Sequence, residues 1–515
     1  MNYNKIREKN AISNAKMDTG IQAFYKDKVV FLTGATGFLG KVLIEKLLRT
    51  TDVKRIYSMV RPKRGQDIQE RIEMWQKEPL FEVLLKSKPE ALKRIATIAG
   101  DCLEPDLGIS ESDRQLLASE VQIVLHGAAT VRFNEPLHVA LAVNTRATRL
   151  MLQLAKEMKH LVAYLHISTA FSNCVIFRIE EKFYPEHLTC DSEKVLAMSE
   201  LLGDQMMDSL TPTLLGSYPN TYTYTKALAE DVILREAGDL PLSIFRPSVI
   251  IASHREPVAG WMDNLYGPIA LIYGVAHGVL RVISINKNGF SNLVPVDYCA
   301  NVALASIWQT SKDKAGRDPI KQPAIYTLAP NERNPLSNTE FVNFSLSCRE
   351  EFPLVKMIWY PFVHCISTPY LNPLAAFFYH TLPGIFYDLA LRVSGRKPRL
   401  VKLYRSIHIN ISLLTYFLHN SFYFETKSTD RLRALMSPED QRIYNFDMKA
   451  LVWKEYFHKA LFGMRLYLGK EPPTQESIDQ GRRLLRLLKI LHFGLMTILL
   501  GIAGIVLWSL IKLII

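Results

Sequence analysis

Short apolar runs of strand length alternate with helix-length segments between residues 28 and 250. Such alternation is typical of βα units that build a parallel sheet. The pattern therefore predicts an α/β fold in which crossover helices cover a doubly wound, Rossmann-type parallel sheet. Strands are predicted at six ranges: Val29–Thr33, Arg55–Val60, Ile95–Gly100, Ile123–Gly127, Ala163–Ser168 and Leu242–Phe245.

The pattern changes in the second half of the chain. Turn signals dominate residues 252–343 and predict an appended substrate lobe. Residues 357–387 contain no Lys, Arg, Asp or Glu but four prolines, which predicts a re-entrant, interfacial or buried helical hairpin rather than one straight spanning helix. The next segment mixes apolar residues with five basic ones and predicts a basic amphipathic helix: Arg396, Lys397, Arg399, Lys402 and Arg405.

The C-terminal run Ile490–Ile511 is long and apolar enough to span a bilayer. Its 22 residues contain His492 as the one ionisable group, and as a helix they measure roughly 33 Å. A buried core helix is the alternative, although core helices of this length are seldom apolar all round. Four basic residues precede the run, Arg482, Arg483, Arg486 and Lys489, and Lys512 follows it. The positive-inside rule therefore predicts a tail anchor with the body in the cytosol.

Composition and charge limit the classes of partner that the chain is expected to bind. With 48% hydrophobic and 22% charged residues, the 515-residue chain is too apolar for a disordered protein and too charged for a polytopic membrane protein. Residues 1–390 hold 42 Lys and Arg against 41 Asp and Glu, whereas residues 391–515 hold 20 against 9. The net charge of +12 thus belongs to the membrane-proximal end, which favours a lipid surface over nucleic acid. Six dispersed cysteines without a CxxC pair indicate free thiols.

A glycine-rich turn follows the first predicted strand. The sequence TGATGFLG places Gly34, Gly37 and Gly40 at GxxGxxG spacing and leads into a helix predicted over residues 41–48. Gly34 would permit a tight turn, Gly37 would let the backbone approach a pyrophosphate, and Gly40 would let the helix and the sheet pack closely. The strand, turn and helix context favours a dinucleotide site over a mere glycine-rich turn. The predicted contacts are Gly34, Thr36, Gly37, Phe38, Leu39 and Gly40.

The end of the second strand indicates which nicotinamide cofactor binds. Arg61, Lys63 and Arg64 stand there without a carboxylate, which favours a 2′-phosphate and hence NADPH. The alternative is a solvated basic turn. Asp101 and Cys102, after the third strand, are predicted on the adenine side of the site.

A YxxxK motif supplies the candidate catalytic groups. Tyr222 and Lys226 are spaced to share one helix face. A phenol is a poor acid or base at neutral pH unless a neighbouring cation stabilises its phenolate, and Lys226 would do so while binding the nicotinamide ribose. Thr169 is the preferred third member and Ser168 the alternative, unless these hydroxyls merely cap the strand end. The sequence shows no metal-ligand spacing and no GxSxG elbow, so no metal site is predicted.

Together these motifs resemble the extended short-chain dehydrogenase/reductase family, and more narrowly the eukaryotic, insect-type fatty acyl-CoA reductases. The resemblance covers about residues 25–465. It rests on residues 54–63, 130–136, 166–170, 180–185, 222–226, 245–248, 294–297, 379–383 and 395–398. One departure is the spacing between Thr169 and Tyr222, which is longer than in most of the superfamily although such an insertion also looks typical of these reductases.

The resemblance implies reduction of a long-chain acyl-CoA by two NADPH to a primary alcohol and free CoA. Thr169 and Tyr222 would stabilise and protonate the substrate oxygen, through a hemithioacetal and an aldehyde. A membrane-bound sterol dehydrogenase or epimerase of the same superfamily would share every catalytic motif and stays as the alternative. A non-enzymatic NADPH-binding scaffold is the third hypothesis.

The predicted organisation has four parts. Residues 1–25 form a polar N-terminal lead, 26–350 the NADPH-binding reductase domain with its substrate lobe, 351–480 a mainly helical C-terminal domain of the fatty acyl-CoA reductase type, and 490–511 the transmembrane anchor. The expected partners are long-chain acyl-CoA and the lipid bilayer, without nucleic acid. The endoplasmic reticulum and the peroxisome are both open as locations, and the oligomeric state is open, a homodimer included.

Overall fold

A computed structural model of the protein describes residues 19–62, 68–316, 322–330 and 332–514. Its centre is a seven-stranded sheet with the strand order β11-β7-β5-β4-β1-β2-β3, in which every pair of neighbours is parallel. The predicted doubly wound α/β fold is thereby confirmed. The order reverses between β1 and β4, which opens a crevice at the carboxyl ends of these strands. The sheet strands are β1 Val29–Thr33, β2 Arg55–Val60, β3 Ile95–Ala99, β4 Ile123–His126, β5 Ala163–Ile167, β7 Leu242–Pro247 and β11 Ala324–Leu328.

The six predicted strands are all present, two with the predicted bounds. The seventh, Ala324–Leu328, was not predicted. It is a five-residue edge strand next to β7, and prolines on both sides give it the appearance of the surrounding loops. The helix Val296–Gly316 precedes it, so the region of turn signals returns to the main sheet.

Three small parallel ladders connect distant parts of the chain. β6 Arg178–Ile179 pairs with β13 Tyr423–Phe424, and β9 Val282–Ser284 pairs with β12 His364–Ile366. β8 Val249–Ile251 pairs with β10 Leu293–Pro295. The first two ladders attach the C-terminal region to the sheet-bearing half.

Helices surround the sheet and build the C-terminal region. The α-helices span Gly20–Tyr25, Phe38–Thr50, Ile68–Glu73, Glu82–Ser87, Glu111–Glu120, Leu137–Ala140, Ala147–Glu157, Ser192–Leu202, Asp204–Ser209, Thr211–Leu215, Thr221–Glu236, Gly267–Ala276, Val296–Gly316, Asn338–Ser347, Asn372–Ala376, Leu382–Val393, Leu400–His419, Lys427–Leu435, Pro438–Ile443, Trp453–Gly463 and Gln475–Ile514. π-Helical turns span Leu141–Arg146, Phe377–Thr381 and Met464–Leu468.

The main hydrophobic core takes side chains from both sides of residue 350. Tyr456 and Phe457 belong to the same buried cluster as the strand residue Val30, and the Tyr456 hydroxyl donates to the Ala252 carbonyl at 2.6 Å. The helix Gly20–Tyr25, inside the predicted lead, also packs into this cluster. Folding of the sheet and of the C-terminal region is therefore coupled.

Residues 357–387 do not form a hairpin of their own, so the predicted hairpin is wrong, whereas the prediction that no single straight helix runs through them is confirmed. The segment begins extended, contributes β12, and then turns helical. The hairpin lies further on, between Leu382–Val393 and Leu400–His419, where the Asp388 carboxylate accepts three backbone N–H groups at the start of the second helix. The predicted basic helix begins only at Leu400, because these N–H groups bind Asp388; three of its five cations precede it.

The C-terminal helix Gln475–Ile514 is a candidate membrane anchor. Within the described residues it is the one helix long and apolar enough to cross a bilayer, with a mean hydropathy of 2.4 over its most apolar window. Its first part packs on the body through Leu485 and Leu488, and from Gly494 to Lys512 its side chains are exposed or half-buried. The apolar part thus projects away from the protein.

Candidate active site

The glycine-rich turn joins β1 to the helix Phe38–Thr50 and adopts the geometry of a dinucleotide-binding loop. Gly34 has a φ of +77°, and a Cβ added there would lie 2.7 Å from the Gly127 backbone. At Gly40 an added Cβ would lie 2.2 Å from the Gly34 carbonyl oxygen. These glycines are required because the loop passes close to β4 and folds back on itself. Gly40 thus packs against the turn itself, rather than against the sheet as predicted.

The helix N-terminus offers donors for a phosphate. The Lys41 N–H donates to the Gly37 carbonyl at 3.0 Å, so the N–H groups of Phe38, Leu39 and Gly40 precede the first helical hydrogen bond. An added Cβ at Gly37 would meet only the Gly34 oxygen, at 3.2 Å. Open space and oriented N–H groups fit the pyrophosphate of a nicotinamide dinucleotide.

The side chains of this turn pack against the protein rather than point to the phosphate site. Phe38 stacks on Trp261 at 5.3 Å between ring centroids, and Leu39 packs against the main core. Thr36 is half-buried in the turn. Phe38 and Leu39 therefore offer backbone groups to a cofactor while their side chains hold the loop in place.

Arg61 and Asp101 meet beyond the ends of β2 and β3. Arg61 is exposed, and its Nε lies 3.7 Å from the Asp101 carboxylate. Cys102 is buried, and burial raises the pKa of its thiol to about 11, so it stays protonated and packs as an apolar group. Lys63 and Arg64 lie outside the described residues.

The helix Thr221–Glu236, which we call the catalytic helix, presents Tyr222 at the edge of the crevice. Its N-cap is Asn220, whose side chain accepts the Thr223 N–H at 2.9 Å. Burial raises the pKa of the Tyr222 hydroxyl to about 12, and the Thr169 hydroxyl opposes part of that rise. Thr169, which follows β5, therefore lies near Tyr222, while its Oγ1 accepts the Phe171 N–H at 3.2 Å at the start of the next turn.

Lys226 lies one helical turn after Tyr222 and is almost fully buried. Its ammonium donates to the Ile167 carbonyl at 2.8 Å. Burial lowers the pKa of Lys226 to about 8, while the Glu230 carboxylate opposes the change. Burial and the charge of Lys226 lower the pKa of His126 to about 3, so this neighbour is neutral at pH 7.

Ser168 serves a different group from Thr169. Its hydroxyl donates to the Glu230 carboxylate at 2.6 Å, and Glu230 also accepts from Ser172 at 3.0 Å. Arg246 completes this buried cluster with two hydrogen bonds to Glu230, at 3.0 and 2.5 Å. The alternative third member, Ser168, is thus committed to the Arg246–Glu230 pair, which fixes the end of β5 against the catalytic helix.

Sequence reasoning missed Asn144 and an aromatic wall. Asn144 lies in the π-helical turn Leu141–Arg146, where its amide donates to the Thr225 hydroxyl at 2.9 Å. Phe133 stacks on Tyr222 at 5.9 Å and contacts Phe417 at 5.3 Å. Phe417 comes from the helix Leu400–His419, so the C-terminal region reaches the reaction centre. No residue spacing signals a contact between positions so far apart.

Comparisons with known proteins add the family. Two family models, both described as male sterility protein and the first an NAD-binding model, match residues 32–303 and 379–471. Fatty acyl-CoA reductase wat of Drosophila melanogaster is 40% identical over 504 residues, covering 98% of this chain and 95% of that protein. Human fatty acyl-CoA reductase 2 is 38% identical and covers 94% and 92%.

Solved structures agree on the fold. The terminal reductase domain of the myxalamid biosynthetic pathway aligns with a TM-score of 0.55 at 19% identity, covering 90% of this chain and 97% of that chain. A reductase domain of a nonribosomal peptide synthetase from Mycobacterium tuberculosis aligns with a TM-score of 0.54, also at 19% identity, and covers 91% and 96%. Because the two fatty acyl-CoA reductase relatives match at 38–40% identity along nearly the whole length, the chain belongs to the fatty acyl-CoA reductase family.

Proposed function

We propose that this chain reduces a long-chain fatty acyl-CoA to the primary alcohol and free CoA, consuming two NADPH and passing through the aldehyde. Family membership supports this class of reaction over the sterol dehydrogenase alternative. The observation that carries the residue assignment is the catalytic helix, which places Tyr222 one turn before the buried Lys226, with Thr169 near enough for its hydroxyl to lower the pKa of Tyr222.

The residues divide the work at the substrate oxygen. NADPH, when bound in the crevice, supplies the hydride for both reductions. The hydroxyls of Thr169 and Tyr222 hold the thioester carbonyl oxygen, and Tyr222 donates its proton to the developing oxyanion. The Tyr222 phenolate takes the proton back from the hemithioacetal hydroxyl as CoA leaves as the thiolate, which gives the aldehyde and restores the Tyr222 hydroxyl. Thr169 and Tyr222 then hold the aldehyde oxygen, and Tyr222 protonates it as the second hydride is transferred. The Lys226 ammonium stabilises the Tyr222 phenolate after each transfer.

The acyl chain has an apolar wall beside this point. Phe133 stacks on Tyr222, and both Phe133 and Phe171 contact Phe417. Aromatic side chains of this kind shield a reacting carbonyl from water and match a hydrocarbon chain. We therefore place the first carbons of the acyl chain along these rings.

The cofactor assignment rests on Arg61, whose guanidinium is largely exposed beside Asp101 at the end of β2, where it can meet a 2′-phosphate. We expect Arg61→Ala to weaken NADPH binding about 10- to 100-fold, because a charge-assisted hydrogen bond contributes about 1.5–3 kcal/mol, with NADH binding unchanged. Arg94→Ala is the control, because Arg94 lies just before β3, at the amino ends of the strands, whereas Arg61 follows the carboxyl end of β2. Unchanged NADPH affinity in Arg61→Ala, or tighter NADH than NADPH binding by the unmodified chain, would contradict the assignment.

We propose that the apolar part of the helix Gln475–Ile514 spans the bilayer with the body in the cytosol. The basic residues before the span and the single lysine after it support this orientation. Imaging of the tagged chain against endoplasmic reticulum and peroxisome markers distinguishes the two candidate membranes.

The direct test of the reaction uses the full chain in nanodiscs with palmitoyl-CoA or stearoyl-CoA and NADPH. We expect one alcohol and one CoA for every two NADPH consumed, measured by mass spectrometry and absorbance. Absence of alcohol, or aldehyde as the end product with one NADPH per CoA, would overturn the proposal. Sterols with NADP⁺ serve as the parallel assay for the alternative function.

A further inference from the structure

The surface segment, residues 372–393, has an inverted arrangement of polar and apolar side chains. It consists of the helix Asn372–Ala376, the π-helical turn Phe377–Thr381 and the helix Leu382–Val393. The buried side chains recur every four residues and are small or polar: Ala376, His380, Gly384 and Asp388. The outward side chains are large and apolar, with exposed fractions of 60% at Leu374, 45% at Phe377, 56% at Phe378, 46% at Ile385, 63% at Phe386 and 55% at Leu389. A helix on the surface of a soluble protein shows the opposite arrangement.

Specific partners hold the polar side inward. His380 accepts the Arg281 N–H at 2.9 Å through Nε2, and its Nδ1 lies 2.9 Å from Nε2 of His408. The Asp388 carboxylate accepts three backbone N–H groups at 2.9 Å each. A Cβ added at Gly384 would lie 3.0 Å from the Tyr404 ring. The segment is therefore fixed, and turning its apolar side inward would break these contacts.

The surface segment is continuous with the attachment point of the C-terminal helix. The Phe362 ring stacks on His492 of that helix at 4.7 Å and contacts Tyr379 of the surface segment at 6.1 Å. Tyr360 also stacks on His492, at 5.5 Å. The apolar face therefore lies beside the point at which the C-terminal helix emerges from the body of the protein.

Charge around the apolar face is strongly one-sided. Between residues 357 and 424 the sequence contains one acidic residue, the buried Asp388, and six basic ones. The basic side chains are Arg392, Arg396, Lys397, Arg399, Lys402 and Arg405, of which every one is exposed. Cations beside an apolar face match a membrane interface, where they meet anionic headgroups.

We propose that the surface segment lies in the plane of the bilayer interface, with its apolar face among the acyl chains, as a second membrane contact besides the tail helix. There the exposed parts of six large apolar side chains would leave water for hydrocarbon, which favours this placement. The cations favour a lipid surface over a second copy of this chain, which would bring the same positive charges together. The proposal rests on the membrane anchor proposed above, which holds this face at the bilayer.

The contact would orient the active site. The helix Leu400–His419 packs Tyr404 on His380 of the surface segment, with ring centroids at 4.9 Å, and carries Phe417 at the aromatic wall beside Tyr222. One helix therefore connects the bilayer surface with the reaction centre. A long acyl chain or its alcohol product would then pass between membrane and site along an apolar protein surface.

The test measures lipid contact in the full chain, reconstituted in vesicles of phosphatidylcholine with a minor share of phosphatidylserine. Phe378→Cys and Phe386→Cys receive an environment-sensitive fluorophore, in a background where the half-buried Cys190 and Cys365 are replaced by serine. Leu201→Cys, at an exposed apolar position of another helix, is the matched control. Leu500→Cys, in the tail helix, reports anchor insertion in the same vesicles.

We expect doxyl-labelled lipids to quench the Phe378 and Phe386 labels several-fold more than the Leu201 label, and aqueous iodide to do the reverse. Quenching of both labels by iodide as at Leu201 would overturn the inference. Protection from both quenchers would also overturn it, in favour of a contact with a second copy. If the Leu500 label is quenched by lipid while the two others are not, the second contact fails and the anchor stands; an unquenched Leu500 label shows failure of the anchor itself.

Discussion

The catalytic helix and the surface segment depart from the usual helix pattern in opposite directions. The catalytic helix buries Lys226, Glu230 and Asp231, residues that ordinarily face water. The surface segment exposes phenylalanines and leucines that ordinarily face the core. In both, the polar groups on the inner side have defined partners: the Ile167 carbonyl for Lys226, Arg246 for Glu230, and three N–H groups for Asp388.

The difference indicates that each of the two helices faces an environment other than bulk water or an apolar core. In the proposed mechanism Lys226 is the cation that stabilises the Tyr222 phenolate, and the Glu230–Arg246 pair fixes the end of β5. We attribute the exposed apolar side chains of the surface segment to the bilayer contact proposed above. A sequence pattern based on a polar outside and an apolar inside therefore fails for both helices.

The largest effect is expected at the buried pair of Glu230 and Arg246, on the inner side of the catalytic helix. We expect Glu230→Gln to lower the free energy of unfolding by about 3–5 kcal/mol, because it leaves the fully buried Arg246 guanidinium without a counter-charge. Glu236→Gln, on the same helix but with its Arg149 partner partly exposed, should change it by less than about 1 kcal/mol. Denaturant unfolding in detergent measures both, and equal losses would contradict the assigned role.

A matched pair of substitutions tests which side of the surface segment is packed against the protein and which side is exposed. Gly384→Leu places a side chain against the Tyr404 ring, and we expect a loss of about 1–3 kcal/mol in unfolding free energy. Phe386→Ser changes an exposed position and should stay within about 0.5 kcal/mol in detergent. The reverse ranking would show that the outer face is packed against protein and the inner one is not.

The pH dependence of turnover separates the chemical role of Lys226 from its structural one. Since the pKa of Lys226 is lowered to about 8 and that of Tyr222 is raised to about 12, turnover should fall about tenfold per pH unit above 8 as the cation is lost. The contribution of Lys226 to the free energy of unfolding should instead rise with pH. Lysine in the unfolded chain has a pKa of about 10.4, so between the folded pKa of about 8 and this value the unfolded chain binds more protons than the folded one, and raising the pH favours the folded state. Comparison with Lys226→Met isolates both effects, and turnover that is level up to pH 10 would contradict the assignment.

The sheet and its glycine turn were predictable because local sequence determines them. Val29–Thr33 and Arg55–Val60 are continuous apolar runs of strand length, and Gly34 and Gly40 are required by the backbone alone. The strand Ala324–Leu328 was missed because an edge strand between prolines resembles a loop. Contacts across hundreds of residues, such as Phe417 beside Phe133, leave no local signal.

The same distinction between local and long-range signals explains which candidate catalytic residues could be predicted from the sequence. Tyr222 and Lys226 were found because i,i+4 spacing is a local property of a helix. Which of the hydroxyls of Ser168 and Thr169 faces Tyr222 was open, because successive residues point to opposite sides and the sequence does not say which side holds Glu230. The inverted surface segment was predicted as apolar, but its orientation depends on Asp388 and His380 finding partners on another helix.

The most direct test of the central claim compares Tyr222→Phe with Tyr224→Phe, both on the catalytic helix, in single-turnover reduction of stearoyl-CoA by NADPH in nanodiscs. Tyr224 is buried against Tyr218, away from Thr169. We predict that Tyr222→Phe binds NADPH normally yet forms alcohol about 10²- to 10⁴-fold more slowly, whereas Tyr224→Phe retains the rate of the unmodified chain. Full activity in Tyr222→Phe would contradict the account.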